Sequence, residues 1–240
     1  MDKITVIPRD SKAKILYKLV AYLMGFLSLI VFISFPLVFA SLPAKFRNPV
    51  IFTIFGAIPL FSIPENIAYY LIVIIYGIIF AYFTYFLVRG DIDRIYLMAE
   101  GFFLAFLLTI IFSFVGEIYK GNPEQFAKDL VYKYSFYVLL APLFEEISFR
   151  VIMVGVPLAI IFLRIKYLFG GIKKEHLKVG YALVIISGAI FGIAHHLWGG
   201  WGSAKAIPAT VQGIYLGLLF IYYDFFAGLT LHFITNAISF

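Results

Sequence analysis

The stretch LAPLFEEISFRVIMVGVPLAIIFL, Leu140 to Leu163, decides the fold. It reads as a membrane-spanning helix, which needs about 20 mostly apolar residues. Yet Glu145, Glu146 and Arg150 stand in its first half. One charge at mid-membrane costs about 2.5–3.5 kcal/mol on insertion scales, so three facing lipid would cost roughly 8–10 kcal/mol. These groups must instead face a bundle interior or a water-filled cavity. Glu146 and Arg150 are four residues apart, on one helix face and in the favourable acid-before-base order. Glu145 points about 100° away around the helix. One carboxylate is then neutralised by arginine while the other is free to take or give a proton. The plainer alternative is a buried ion pair beside one protonated glutamate.

The rest of the chain agrees with a membrane. Of its 240 residues 63% are hydrophobic, 20% aromatic and 13% charged, with a mean hydropathy of +0.99. Soluble domains average about 45–50% apolar and about 25% charged. The expected fold is therefore all-α, a polytopic transmembrane helical bundle, with residues 1–240 as a single domain. Long apolar runs, rather than short alternating segments, exclude an outer-membrane barrel. The chain has no cysteine, which rules out disulfides, thiolate catalysis and cysteine–zinc sites. Its net charge of +6 needs no nucleic acid, because basic loops beside membrane helices set orientation. The lipid bilayer is the implied partner, and a multi-pass protein of the cell membrane the implied setting. Oligomeric state is not readable. The basic N-terminus precedes an apolar run too long for a signal-peptide core, so that run is kept as an anchor.

The pattern of apolar runs gives seven or eight membrane segments. The first covers about Ile15 to Ala40, with Pro36 as a kink. Val50–Ile63 is short and broken by Gly56 and Pro59. It reads equally as a re-entrant hairpin, an interfacial piece or a compressed span. Two further spans run to about Val88 and from Ile95 to Val115. A short surface helix is expected at Pro123 to Tyr132. The charged helix is expected over Tyr134 to Phe169. The last three spans cover about Val179 to Leu197, Ala206 to Tyr223 and Phe225 to Phe240. The pairs Gly188/Gly192 and Gly213/Gly217 have the spacing of close helix packing.

Of the four histidines, His176 lies in a basic loop. His195 and His196 end one span, and His232 shares a face with Asn236 in the last. Consecutive spans run antiparallel, so the first half of the glutamate helix, the end of the His195 helix and the second half of the last span share one depth. His196 is read as a packing or interface residue.

A carboxylate paired with a histidine can activate water as a general base. A second histidine and an asparagine can donate to a developing oxyanion, often worth about 3–4 kcal/mol per donor. Together they form a set for amide hydrolysis without a covalent intermediate. There is no H-E-x-x-H zinc helix, although Glu145, His195 and His232 on different helices are the ligand set if a metal, zinc above all, is used. "ISGA" at Ile186–Ala189 lacks the first glycine of a rhomboid-type serine motif, and "RGDI" lacks the G-x-G-D of presenilin-type aspartyl proteases. Non-enzymatic readings remain: a membrane scaffold, an immunity factor, or a proton-coupled transporter using intramembrane Glu and His as a relay.

These residues resemble the CPBP intramembrane protease family, also called the ABI family, which includes the type II CAAX prenyl proteases. The family pattern reads here as EEISFR (Glu145, Glu146, Arg150), FGIAH (Phe191, His195) and HFITN (His232, Asn236). The resemblance covers about 136–239. It implies that Glu145 and His195 activate the attacking water and that His232 and Asn236 stabilise the oxyanion. Glu146 and Arg150 would orient Glu145, and Phe191 would pack near the site. It further implies a membrane-associated or prenylated protein or peptide substrate, the last three residues of a CAAX protein in that subgroup, and no cofactor unless zinc. A cytoplasmic site needs Val50–Ile63 to span. If that segment does not span, the two basic segments share one side and the site lies on the other.

Overall fold

In the computed structural model, residues 11–41, 50–55, 58–116, 136–197 and 201–239 are described. They form seven helices and one β-hairpin. Helix α1 is Ser11–Ser41. Strands β1 (Val50–Ile54) and β2 (Ile58–Ile63) follow, then α2 (Glu65–Val88) and α3 (Ile92–Ser113). Helix α4 runs over 136–161, and α5 is Leu177–Leu197. Helices α6 (Ala206–Tyr222) and α7 (Phe225–Ser239) complete the bundle. Five helical stretches are long and apolar enough to cross a membrane, and Phe225–Ile238 is a shorter apolar helix. With its ring of lipid-facing Leu, Ile and Phe, this is an integral membrane protein.

Two expectations are settled differently or more narrowly. Val50–Ile63 is an antiparallel hairpin with Val50 opposite Ile63 and Ile54 opposite Ile58. Gly56 and Pro59 interrupt any helix there, and β-branched residues favour the extended state. The charged helix stops short of Phe169. Leu163 takes a left-handed φ of 50°, and a 3-10 turn over Ile165–Phe169 replaces the last helical turns. Backbone bonds from Gly171 to Phe220 (3.0 Å) and Ile172 to Ile221 (2.8 Å) hold this segment against the end of α6. The surface helix expected at Pro123 to Tyr132 lies outside the described residues.

Helix α6 is central and packs on α3, α5 and α7. Its contact with α5 is made by glycines: a Cβ at Gly213 would stand 3.1 Å from the Gly188 Cα, and one at Gly217 2.7 Å from Val184. A Cβ at Gly192 would run into Thr210 Oγ1 and the Ala206 carbonyl. This approach fixes the rotation of α5 and so the direction of Phe191 and His195.

The two ends of the bundle differ. At one end Arg94 of α3 pairs with Asp91 (3.3 Å) and Asp224 (3.8 Å) and hydrogen-bonds the Tyr82 hydroxyl. Asp224 accepts from Tyr82 (2.7 Å) and from the Ala227 amide (3.0 Å), capping α7. The basic segment 164–178 lies at this end, against α6. The hairpin, the starts of α4 and α6 and the ends of α5 and α7 lie at the other.

Candidate active site

Glu146 and Arg150 are fully buried, with Glu146 Oε2 3.3 Å from Arg150 Nε. Arg150 Nη1 donates to Ser187 Oγ at 3.0 Å, and Ser187 donates onward to the Phe149 carbonyl at 2.6 Å. The guanidinium also stands 5.3 Å from the Phe191 ring centroid. Ser187, the serine of ISGA, is thus an element of the arginine's cradle.

His232 sits between the two acids. Its Nδ1 is 2.9 Å from Glu146 Oε1 and its Nε2 is 3.4 Å from Glu145 Oε2. Glu145 keeps 27% of its side chain exposed, whereas Glu146 keeps none. Glu145 and Glu146 therefore meet the same imidazole, one from a closed position and one from an open one.

α4 has a local cause for bringing two adjacent acids to one partner. Its first turn over Phe136–Leu140 and its stretch Ile147–Gly155 are wound as π-helix, with Ala141–Glu146 as α-helix between them. Wide turns of this kind concentrate at functional sites. Helix α7 comes close because residue 228 is glycine: a Cβ there would stand 3.0 Å from Glu146 Oε2.

Phe191 is the aromatic partition of the site. It is fully buried, 4.4 Å from the His195 ring and 5.8 Å from the His232 ring by centroids, and packs edge-on against Phe149 at 5.1 Å. His195 Nδ1 donates to the Phe191 carbonyl at 2.9 Å. A carbonyl only accepts, so Nδ1 carries the hydrogen and the lone pair is on Nε2. No hydrogen bond or ion pair joins His195 to Glu145 among the described residues; the acid meets His232 instead. Asn236 lies one helical turn beyond His232 and is half-buried. His196 is half-buried next to His195.

Three contributors were not visible in the sequence motifs. Ser148 accepts a hydrogen bond from the Phe55 amide at 3.2 Å, and Phe55 packs on Phe149 at 5.4 Å, so the chain just past β1 rests on α4 beside the two glutamates. Gly228 makes room for Glu146. Lys205, just ahead of α6, holds its ammonium 5.2 Å from the Trp201 ring, next to the crossing where Gly192 meets the Ala206 carbonyl. The only sequence sign of Lys205 was a cation at the mouth of a span.

Among the described residues no three of His, Asp or Glu converge as ligands. His232 commits both ring nitrogens to carboxylates, and His195 commits Nδ1 to backbone.

Residues 127–238 match the family described as Type II CAAX prenyl endopeptidase Rce1-like. No curated protein and no solved structure matches the chain.

Proposed function

From the match of residues 127–238 to the Rce1-like type II CAAX prenyl endopeptidase family, we propose that the chain is an intramembrane endopeptidase with Glu145 as its general base. The observation that carries this reading is the pair of adjacent acids on one imidazole, one sealed and ion-paired, the other open. Glu145 takes a proton from water as the water oxygen attacks the scissile carbonyl carbon. It then delivers that proton to the departing amide nitrogen. His195 holds the same water through the free lone pair of Nε2. His232 Nε2–H, released as Glu145 turns toward water, and the Asn236 amide donate to the oxyanion. Glu146 and Arg150 keep His232 in its orientation, and Phe191 keeps the two histidines apart. The reaction is metal-independent in this reading.

The substrate that follows from the family is a prenylated CAAX protein losing its last three residues. One observation favours a second substrate class. The hairpin returns to the end it leaves, so the start of α1 and the basic 164–178 segment share the end opposite the site, and the charge rule then places the site away from the cytoplasm. A membrane-embedded peptide without a prenyl group meets that geometry. Purified full-length protein given a quenched farnesylated CAAX peptide and its unprenylated counterpart separates the two. Cleavage of the farnesylated peptide alone supports the prenyl protease. Cleavage of both alike supports the second class. Cleavage of neither by folded protein removes the enzymatic reading in favour of a membrane scaffold.

A further inference from the structure

Lys205 stands out among the polar groups the proposed chemistry leaves unused. It lies in the 3-10 turn Ser203–Lys205 that leads into α6, and the close crossing at Gly192 brings that end of α6 to the end of α5 that carries His195. The side chain is half-buried and its ammonium rests on Trp201. Among the described residues it has no carboxylate partner in ion-pair contact, although Glu145 lies within its electrostatic reach. A partly desolvated cation at a membrane site is expensive unless something negative meets it. Helix α6 adds the positive end of its dipole at the same place.

The proposed substrate supplies a fixed negative group. A peptide that loses its last three residues ends in a free carboxylate about 10 Å beyond the scissile bond when extended, at about 3.3–3.6 Å per residue. A receptor for that carboxylate must be near the site but out of ion-pair contact with the general base, and Lys205 lies beside the Gly192–Ala206 crossing, three residues along α5 from His195. Resting on the tripeptidase-type reading of the site, we propose that Lys205 is the anchor for the substrate's C-terminal carboxylate and so sets the distance from chain end to cleavage point. Trp201 holds the ammonium in place in the absence of substrate. Any acid-ended peptide of the right length is then preferred over its amide.

The test uses purified full-length protein and two farnesylated peptides that differ only in ending as acid or amide. A charge-assisted hydrogen bond corresponds to about ten- to hundredfold in affinity. Wild type is expected to show a KM for the acid at least about tenfold below that for the amide, with similar kcat. In K205Q the ratio falls to near one, and K205R restores most of it. Equal KM values in wild type overturn the proposal, as does a K205Q that lowers kcat for both peptides by one factor. If neither peptide is cleaved, the proposed activity fails, and equilibrium binding of the same two peptides decides the anchor by itself. An acid preference lost in K205Q supports it, and equal binding of acid and amide overturns it.

Discussion

Replacing Arg150 with Met tests how the charged cluster is held. Arg150 is fully buried, 3.3 Å from Glu146, 3.0 Å from Ser187 and over the Phe191 ring. Methionine fills much of the volume but leaves Glu146 facing His232 alone. Removing one partner of a buried ion pair costs about 3–5 kcal/mol, because the remaining charge is stranded. At about 2–4 °C per kcal/mol for a chain near this size, the midpoint falls by about 6–20 °C. Thermal unfolding in detergent, followed by the fluorescence of the two tryptophans, reads the shift. Glu146→Gln strands the arginine and is expected to cost a similar amount. The double variant is expected to cost less than the sum by about 1–3 kcal/mol, as contacting residues do. Arg150→Lys recovers only part, since an ammonium does not serve Glu146 and Ser187 in the fixed geometry of a guanidinium. A loss below about 1 kcal/mol in Arg150→Met, the size expected of an exposed pair, or strict additivity in the cycle, would refute the stranded-charge argument.

Other perturbations follow from the same contacts. Phe191→Ala empties a fully buried site beside both histidines and is expected to cost about 3–5 kcal/mol, read by thermal unfolding, together with loss of activity. Gly192→Leu forces α5 off α6 and is expected to reduce the yield of folded protein, whereas Gly77→Ala, where an added Cβ meets nothing within 4 Å, is expected to be silent in the same expression assay. Asp224→Ala removes the cap on α7 and is expected to cost about 0.5–2 kcal/mol, measured by denaturant unfolding. The chain has no cysteine, so single cysteines at Ser203 and Lys174 report topology without background. An impermeant thiol reagent is expected to reach them from opposite faces, and labelling from one face would contradict the single crossing by α5 that separates the two positions.

The helical spans were legible because apolar runs of bilayer length have few other uses. Val50–Ile63 was not, since a mostly apolar stretch of fourteen residues broken by glycine and proline suits several states, and a strand is decided by its partner rather than by its own sequence. The end of α4 was misjudged because Tyr167, Leu168 and Phe169 continue the apolar pattern; the chain leaves the helix there to bond with α6, a tertiary choice. Within the site, the Glu146–Arg150 pair could be read from its spacing of four. The meeting of Glu145 with His232 could not, because it depends on π-helical winding and on the rotation of α7 about Gly228, neither of which has a residue signature.

The central claim is that Glu145 is the base of a metal-independent hydrolysis. Its most direct test is mass spectrometry of the products from a farnesylated CAAX peptide incubated with wild type, wild type plus chelator, and Glu145→Ala. The account predicts the same released tripeptide with and without chelator, and a rate at least about a hundredfold lower in Glu145→Ala, the lower bound for losing a general base. Cleavage by Glu145→Ala at the wild-type rate, or activity abolished by chelator and restored by zinc, would contradict it.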